Sequence, residues 1–247
     1  MNVLLLAGSA EARLLAAKIA GMQDVKVTSS LAGATRNPAT LAGKMRIGHF
    51  GGRDGFADYL RQNSVDVVID ATHPFAAKMS ETAAGVCAAL GVSHLQVMRP
   101  PWTPDSGDRW TIVENECAVA GVVPVGSVAF LATGRGTLER YSNMTGRRLI
   151  CRQIDPPETD FPFENGAFLV GQGPFSIGHE EALFKNLNVD WLVVKNSGGD
   201  ASRSKLNAAR RLGLPVAMIK RPPPLECARV KTVAEALIWL NERIQGR

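Results

Sequence analysis

Apolar runs in this chain end repeatedly in loops whose residues could do chemistry. Val3 to Leu6 reads as a buried strand and gives way to Gly8-Ser9-Ala10-Glu11-Ala12-Arg13, which opens a helix. A glycine there lets backbone approach a phosphate closely, and unpaired N–H groups at the positive end of a helix favour an anion. Ala7, Ala10 and Arg13 stand where the dinucleotide fingerprint would place glycines, so this is not the G-x-G-x-x-G fingerprint. A tight strand–helix turn with no ligand is the alternative. The next strand, Val25 to Leu31, contains Thr28-Ser29-Ser30 and no carboxylate, and Arg36 follows in the loop beyond. NAD enzymes place a carboxylate roughly 20 residues after the fingerprint to hold the ribose 2′-hydroxyl, and that anion would repel a 2′-phosphate. Ser29, Ser30 and Arg36 instead suit a phosphate monoester, which favours NADPH over NADH. The rival for Arg36 is a solvated loop arginine.

A third apolar run ends in Asp70-Ala71-Thr72-His73-Pro74-Phe75. Thr72 and the backbone suit a cofactor's pyrophosphate or nicotinamide, Pro74 and Phe75 stiffen the loop, and His73 can orient a substrate or donate a proton. Capping of the next helix by His73 stands beside that reading. Three further donor-rich loops follow: Thr133-Gly134-Arg135, Gln172-Gly173-Pro174-Phe175 and Lys195-Asn196-Ser197-Gly198-Gly199. Lys195 ends the strand Asp190 to Val194 directly, so its charge needs either an anionic ligand or an acid such as Asp200. With Arg135 and Lys205 it supplies cations for a carboxylate-rich substrate. His73 and Lys195 are the candidate catalytic residues.

Elements must hold these loops in place, and an internal repeat says how. Asp66 to Asp70 is a strand, Ala76 to Leu90 a helix stopped by Gly91, and His94 to Met98 a strand leading to Arg99-Pro100-Pro101. Asp190 to Val194, Ser202 to Leu212, Gly213, Val216 to Ile219 and Arg221-Pro222-Pro223 repeat the order, with eight residues from glycine to arginine in both copies. Continuous apolar strands alternating with helices predict parallel sheets covered on both faces. Met45 to Phe50 adds a strand to the first half; Val128 to Ala132, Leu149 to Gln153 and Ala167 to Val170 belong to the second. Helices are predicted over Glu11 to Gly21, Asp54 to Asn63 with Asp54 as N-cap, Val113 to Ala120, His179 to Leu187 and Thr232 to Ile244. The expected architecture is α/β: two Rossmann-like, doubly wound half-domains, residues 1–113 and 114–247, with an interdomain cleft lined by strand ends. In this scheme the first half binds NADPH and the second completes the substrate cleft.

Bulk properties agree. Hydrophobic residues at 45% and charged residues at 21% suit a chain that folds by itself. A net charge of +5 and a pI near 9.2 call for an anionic partner. The basic residues are scattered and aromatics few, which argues against nucleic acid. Cys87, Cys117, Cys151 and Cys227 lie far apart with no C-x-x-C, so no metal is expected and the thiols read as reduced, as in the cytoplasm. The N-terminal apolar run is too short to span a bilayer and lacks a basic leader, so no membrane association is expected.

In combination, Gly8 to Arg13, Ser30-Leu31-Ala32-Gly33, Phe50-Gly51-Gly52, Asp70 to Ala76, Arg99 to Trp102, Gly173-Pro174-Phe175 and Lys195 to Gly199 resemble the precorrin-6x (precorrin-6A) reductase family of cobalamin biosynthesis over nearly the whole chain. The resemblance implies hydride transfer from NADPH to a ring carbon of precorrin-6A, a tetrapyrrole polycarboxylate, with no metal. A neighbouring carbon must then take a proton, from His73, a lysine or bound water. It also leaves room for handover with neighbouring pathway enzymes. The rivals are the cobalt-containing version of the step using NADH, and a nucleotide-sensing protein without catalysis.

Overall fold

The structure is a computed structural model and describes every residue except Ala34, Asn37 and Arg247. Ala34 and Asn37 flank Arg36, so part of that expected loop lies outside the described residues. The chain divides into two compact units, Met1–Pro100 with Pro222–Arg247, and Pro101–Arg221.

The first unit is a six-stranded, wholly parallel sheet. Its strands are β1 (Asn2–Ala7), β2 (Lys26–Leu31), β3 (Lys44–Ile47), β4 (Val67–Ala71), β5 (Ser93–Val97) and, from the C-terminal segment, β12 (Arg229–Val230). The spatial order is β12-β5-β4-β1-β2-β3. Helices α1 (Ala10–Ala20) and α6 (Val233–Gln245) pack together over one face, burying Leu15, Ile19 and Leu240 against Val3, Leu5 and Ile69. Helices α2 (Gly52–Gln62) and α3 (Ala77–Leu90) cover the other, where Phe56, Leu60 and Val86 meet Leu4, Leu6 and Val68. The strand interiors are apolar on both faces because both faces are covered.

The second unit repeats the plan with β6 (Trp110–Val113), β7 (Val128–Leu131), β8 (Arg148–Gln153), β9 (Ala167–Val170), β10 (Trp191–Lys195) and β11 (Val216–Ile219), ordered β6-β11-β10-β7-β8-β9. One face carries α4 (Ile177–Asn186) and α5 (Ser204–Leu212), which bury Phe184 and Leu206 against Phe130, Ile150 and Leu192. Over the other lie 3-10 segments, Cys117–Gly121 and Arg135–Tyr141, in place of the long helices of the first unit. The repeat extends to single contacts. The Asn2 amide donates to the Asp66 carboxylate at 2.7 Å, and the Val128 amide donates to that of Asp190 at 2.8 Å. Gly91 and Gly213 close α3 and α5 with φ of 67° and 65°, the left-handed cap that excludes most side chains.

The expected boundary at 113/114 is corrected. After β5 the chain leaves the first unit at Pro100 and supplies β6 to the edge of the second sheet; after β11 it leaves the second unit at Arg221 and supplies β12 to the first. Both Arg-Pro-Pro segments therefore mark the exits from a sheet, where two prolines lack the N–H groups that would continue strand pairing. The turn-rich stretch beyond Thr103 belongs to the second unit, pinned by Arg203 and Arg210 on Asp105 and by Arg210 on Asp108, all at 2.7–2.8 Å. The expected helix over Val113 to Ala120 is the end of β6 followed by a 3-10 segment. Asp54 lies within the first turn of α2, whose N-cap is Gly51.

Candidate active site

Chain order reverses between β1 and β4 in the first sheet, the crevice where open parallel sheets take ligands. The structure brings the two predicted loops together there. Ser9 Oγ donates to the Ala71 carbonyl at 2.7 Å and accepts from the Ala12 amide at 3.2 Å, so one hydroxyl ties the loops and caps α1. Gly8 lies so close to the second loop that a Cβ would meet the His73 nitrogen at 3.2 Å. A side chain at residue 8 would push the two loops apart, and the backbone N–H groups of this helix end suit a dinucleotide pyrophosphate. Glu11, in the first turn, is held by Arg99 at 2.6 Å. Burial raises its pKa, but its own backbone N–H, Arg99 and Ser9 outweigh this and hold the carboxyl below its ordinary value.

Asp70 is buried at the end of β4 and accepts from the Thr72 hydroxyl at 2.7 Å and the Thr72 amide at 3.1 Å, fixing that loop from below. His73 Nδ1 accepts from the Phe75 amide at 3.3 Å, which in the neutral ring puts the proton on Nε2. The expected capping of the next helix is not seen: the N-cap of α3 is Ala76, with no side-chain hydrogen bond, and the His73 ring orders the turn before it. Pro74 and Phe75 complete the turn, with the His73 and Phe75 rings 5.9 Å apart. Ser29 faces the core under α1, fully buried, its hydroxyl without a hydrogen-bond partner among the described residues. Ser30 points to the other face and accepts from Arg46 at 2.8 Å. Arg36 is exposed in the following loop.

In the second sheet the order reverses between β7 and β10. Lys195 Nζ donates to Thr137 Oγ1 at 3.0 Å and lies 3.3 Å from Glu116 and 3.5 Å from the Thr133 carbonyl. Its acid is Glu116 and not Asp200. Burial lowers the Lys195 pKa and Glu116 opposes that; burial raises the Glu116 pKa, but its backbone hydrogen bond, Lys195, Thr137 and Arg140 bring it below its ordinary value. Thr133 Oγ1 is 3.2 Å from the Tyr141 hydroxyl. Gly134 precedes an exposed Arg135. Asn196 spends its side chain on the backbone of Trp102, accepting from its N–H at 2.8 Å and donating to its carbonyl at 3.0 Å, so it anchors that segment and is not turned to a ligand. Ser197 is buried beside it, and Gly198 adopts φ of 65°. Gln172, Gly173 and Pro174 are exposed, and Phe175 stacks on His179 at 5.1 Å.

Lys205, in the first turn of α5, donates to the Ser202 carbonyl at 2.6 Å and stands 5.8 Å from the Trp102 ring centroid. Burial, reinforced by Arg152 and opposed by Glu180, pulls its pKa down to about 8. Arg152 and Glu180 form a buried two-point pair, both bonds 2.8 Å, with the guanidinium 4.5 Å from the Phe175 ring centroid. Sequence reasoning missed Arg46, Glu116, Arg152 and Glu180. Arg46 was findable, since it stands on the strand beside Ser30 with alternating polarity; Glu116 was hidden by the mistaken helix.

The family model described as precorrin-6x reductase CbiJ/CobK matches residues 2–241. The chain belongs to this family. It is 40% identical over 242 residues to a precorrin-6A reductase of Rhodococcus erythropolis, covering 97% of each chain. A solved structure described as CobK precorrin-6A reductase superposes with a TM-score of 0.93 at 37% identity, covering 98% of this chain and 96% of that one. A cobalt-precorrin-6A reductase of Priestia megaterium is 31% identical over 238 residues, covering 89% of this chain and 90% of that one. Membership makes the chain a reductase, and such a family takes a nicotinamide nucleotide as reductant.

Proposed function

We propose that this chain reduces one macrocycle double bond of metal-free precorrin-6A with NADPH, in cobalamin biosynthesis and in the cytoplasm. The observation that carries the reading is the Gly8–Ser9 cradle against the Thr72–His73 loop at the switch point of a sheet whose family is that of reductases. Gly8, Ser9 and Ala10 would hold the pyrophosphate by backbone and helix end, and Thr72 to Phe75 would border it. Choice of NADPH rests on Ser30 with Arg46 at 2.8 Å where an NAD enzyme would carry an acid, with Arg36 in the loop beyond.

Bound NADPH supplies the hydride, which adds to one carbon of the double bond. The neighbouring carbon takes a proton, and His73, which carries its proton on Nε2 when neutral, is the donor we favour. In the second unit Arg135 and Lys205 would pair with the carboxylates that rim the macrocycle. Lys195, neutralised by Glu116, would hold the Thr133–Thr137 segment in shape as well as touching substrate. A cobalt-containing substrate is the second reading; the 40% identity to a precorrin-6A reductase against 31% to a cobalt-precorrin-6A reductase favours the metal-free one.

The test is turnover of metal-free precorrin-6A with each nicotinamide, followed by the visible spectrum as conjugation is lost. A kcat/KM at least about tenfold higher with NADPH, a preference of about 1.4 kcal/mol, is expected. Equal use of NADH, or turnover of the cobalt-containing substrate alone, would refute the assignment.

A further inference from the structure

Strand register in the first sheet lines up one residue from each of its six strands: Arg46 with Ser30, Ser30 with Leu6, Leu6 with Asp70, Asp70 with Gln96, and Gln96 with Arg229. Register partners in a parallel sheet send their side chains to one face, here the face of Leu6, which α2 and α3 cover. The row stands two residues before Gly8 on β1 and two before Thr72 on β4, and all of it belongs to the first unit.

From β12 to β4 the hydrogen bonds of this row run in one direction. Arg229 Nε donates to Gln96 Oε1 at 2.8 Å, Gln96 Nε2 donates to Asp70 Oδ2 at 3.5 Å, and Asp70 Oδ1 accepts from both the amide and the hydroxyl of Thr72. Arg229 also donates to the Leu225 carbonyl at 2.7 Å, and the Thr72 hydroxyl lies 3.3 Å from that of Ser80 on α3. A guanidinium only donates and an ionised carboxylate only accepts, so the buried amide between them has one orientation available. The scaffold itself does not require these groups. Counted from Asp66 and Asp190, or from the helix stops Gly91 and Gly213, the second sheet carries Val194 and Met218 in the places of Asp70 and Gln96, and Ile112 beside Met218 in the place of Arg229. Asn196, in the place of Thr72, is held by the Trp102 backbone instead. The polar row goes with a strand-end loop that is held from below.

We propose that Gln96 and Arg229 are positioning residues for the cofactor: acting through Asp70, they fix the Thr72 amide and hydroxyl beside the Gly8–Ser9 cradle. The inference rests on the nucleotide site proposed above. Arg229 keeps Gln96 Oε1 turned away from Asp70, Gln96 Nε2 then restrains the carboxylate, and the carboxylate holds two donors of Thr72 in one arrangement. Without Arg229 the amide is free to turn Oε1 toward Asp70, where two acceptors repel and the restraint is lost. The two-residue β12, formed after the chain leaves the second unit, is what delivers that guanidinium to the first sheet.

Gln96→Met and Arg229→Ile install the second sheet's residues one at a time, and the triple variant Asp70→Val/Gln96→Met/Arg229→Ile installs the whole apolar row and strands no buried charge. NADPH affinity is read by fluorescence titration without tetrapyrrole, KM for the tetrapyrrole at saturating NADPH, and ligand-free Tm by calorimetry. Gln96→Met and the triple variant are expected to weaken NADPH at least about tenfold with the tetrapyrrole KM moved less than about twofold, and the triple variant to melt within about 4 °C of the wild type. Arg229→Lys, which keeps a donor, should stay within about threefold of wild-type affinity while Arg229→Ile falls further. The losses from Asp70→Asn and Gln96→Met should not add in the double variant, because one acts through the other. Wild-type NADPH affinity in the triple variant overturns the inference, as does full additivity, and as does a lower Tm with equal losses for both ligands, the mark of a structural row. Binding of NADH in place of NADPH, or a bound nucleotide with no turnover of the tetrapyrrole, would sink the proposed reaction instead; the affinity arms, run with whichever nucleotide binds, still decide the row.

Discussion

After β1 the chain of the first unit turns within two residues into the capped helix α1, whereas after β7 the second unit runs into a 3-10 segment broken at Thr137. The difference recurs one strand over. In the first unit β4 carries a buried Asp70 that holds Thr72, and in the second β10 ends in Lys195 held by Glu116. On the proposed reading, two sheets of one topology offer opposite tools: backbone N–H groups and a helix end for phosphate, and cationic side chains for the rim of an acidic macrocycle. The two units share one scaffold, and they differ in the residues just past the strand ends.

Substitutions should separate the two sets. The largest effect is expected from Glu180→Leu, which strands Arg152 in a buried pair and should cost about 3–5 kcal/mol in chemical denaturation. The tetrapyrrole KM should rise with it while that for NADPH holds; a loss under about 1 kcal/mol would show that the pair is solvated. Gly8→Val should act in the other direction. A side chain would crowd the His73 amide, so KM for NADPH is expected to rise more than about tenfold with the tetrapyrrole KM little moved. Equal changes in both would erase the distinction between the units.

Ser9→Ala removes the cap of α1 and the tie to Ala71, an expected loss of about 1 kcal/mol in stability. A further expected effect is a pH dependence. Lys205 titrates near 8 in the folded chain against an ordinary 10.5, so between those values the folded state binds fewer protons than the unfolded one and stability rises with pH. Lys205→Met should flatten that rise. In the wild type the tetrapyrrole KM should climb above about pH 8 as the charge is lost, and a pH-independent KM would remove Lys205 from the carboxylate contacts.

Much of this was legible in the sequence, for definite reasons. Apolar strands between glycine stops fix a doubly wound sheet, and Gly8, Ser9, Thr72 and His73 fall at strand ends that the topology must bring together. What escaped was non-local. Arg-Pro-Pro signals the end of a strand and carries no word of which sheet receives the next one, so the exchange of β6 and β12 was invisible and the boundary fell at 113 in place of 100 and 221. Partners far along the chain were hidden likewise: Asn196 reads as a ligand donor until Trp102 is seen beside it, and Lys195 reads as a partner of a ligand or of Asp200 until Glu116 is.

The division of labour between the units is tested most directly by amide hydrogen exchange with each ligand alone. NADPH is predicted to slow exchange across Gly8 to Ala12 and Thr72 to Phe75, and the tetrapyrrole to leave those amides as they are while slowing the segments around Arg135 and Lys205. Protection of Gly8 to Ala12 by the tetrapyrrole, with NADPH leaving them unchanged, would contradict the account.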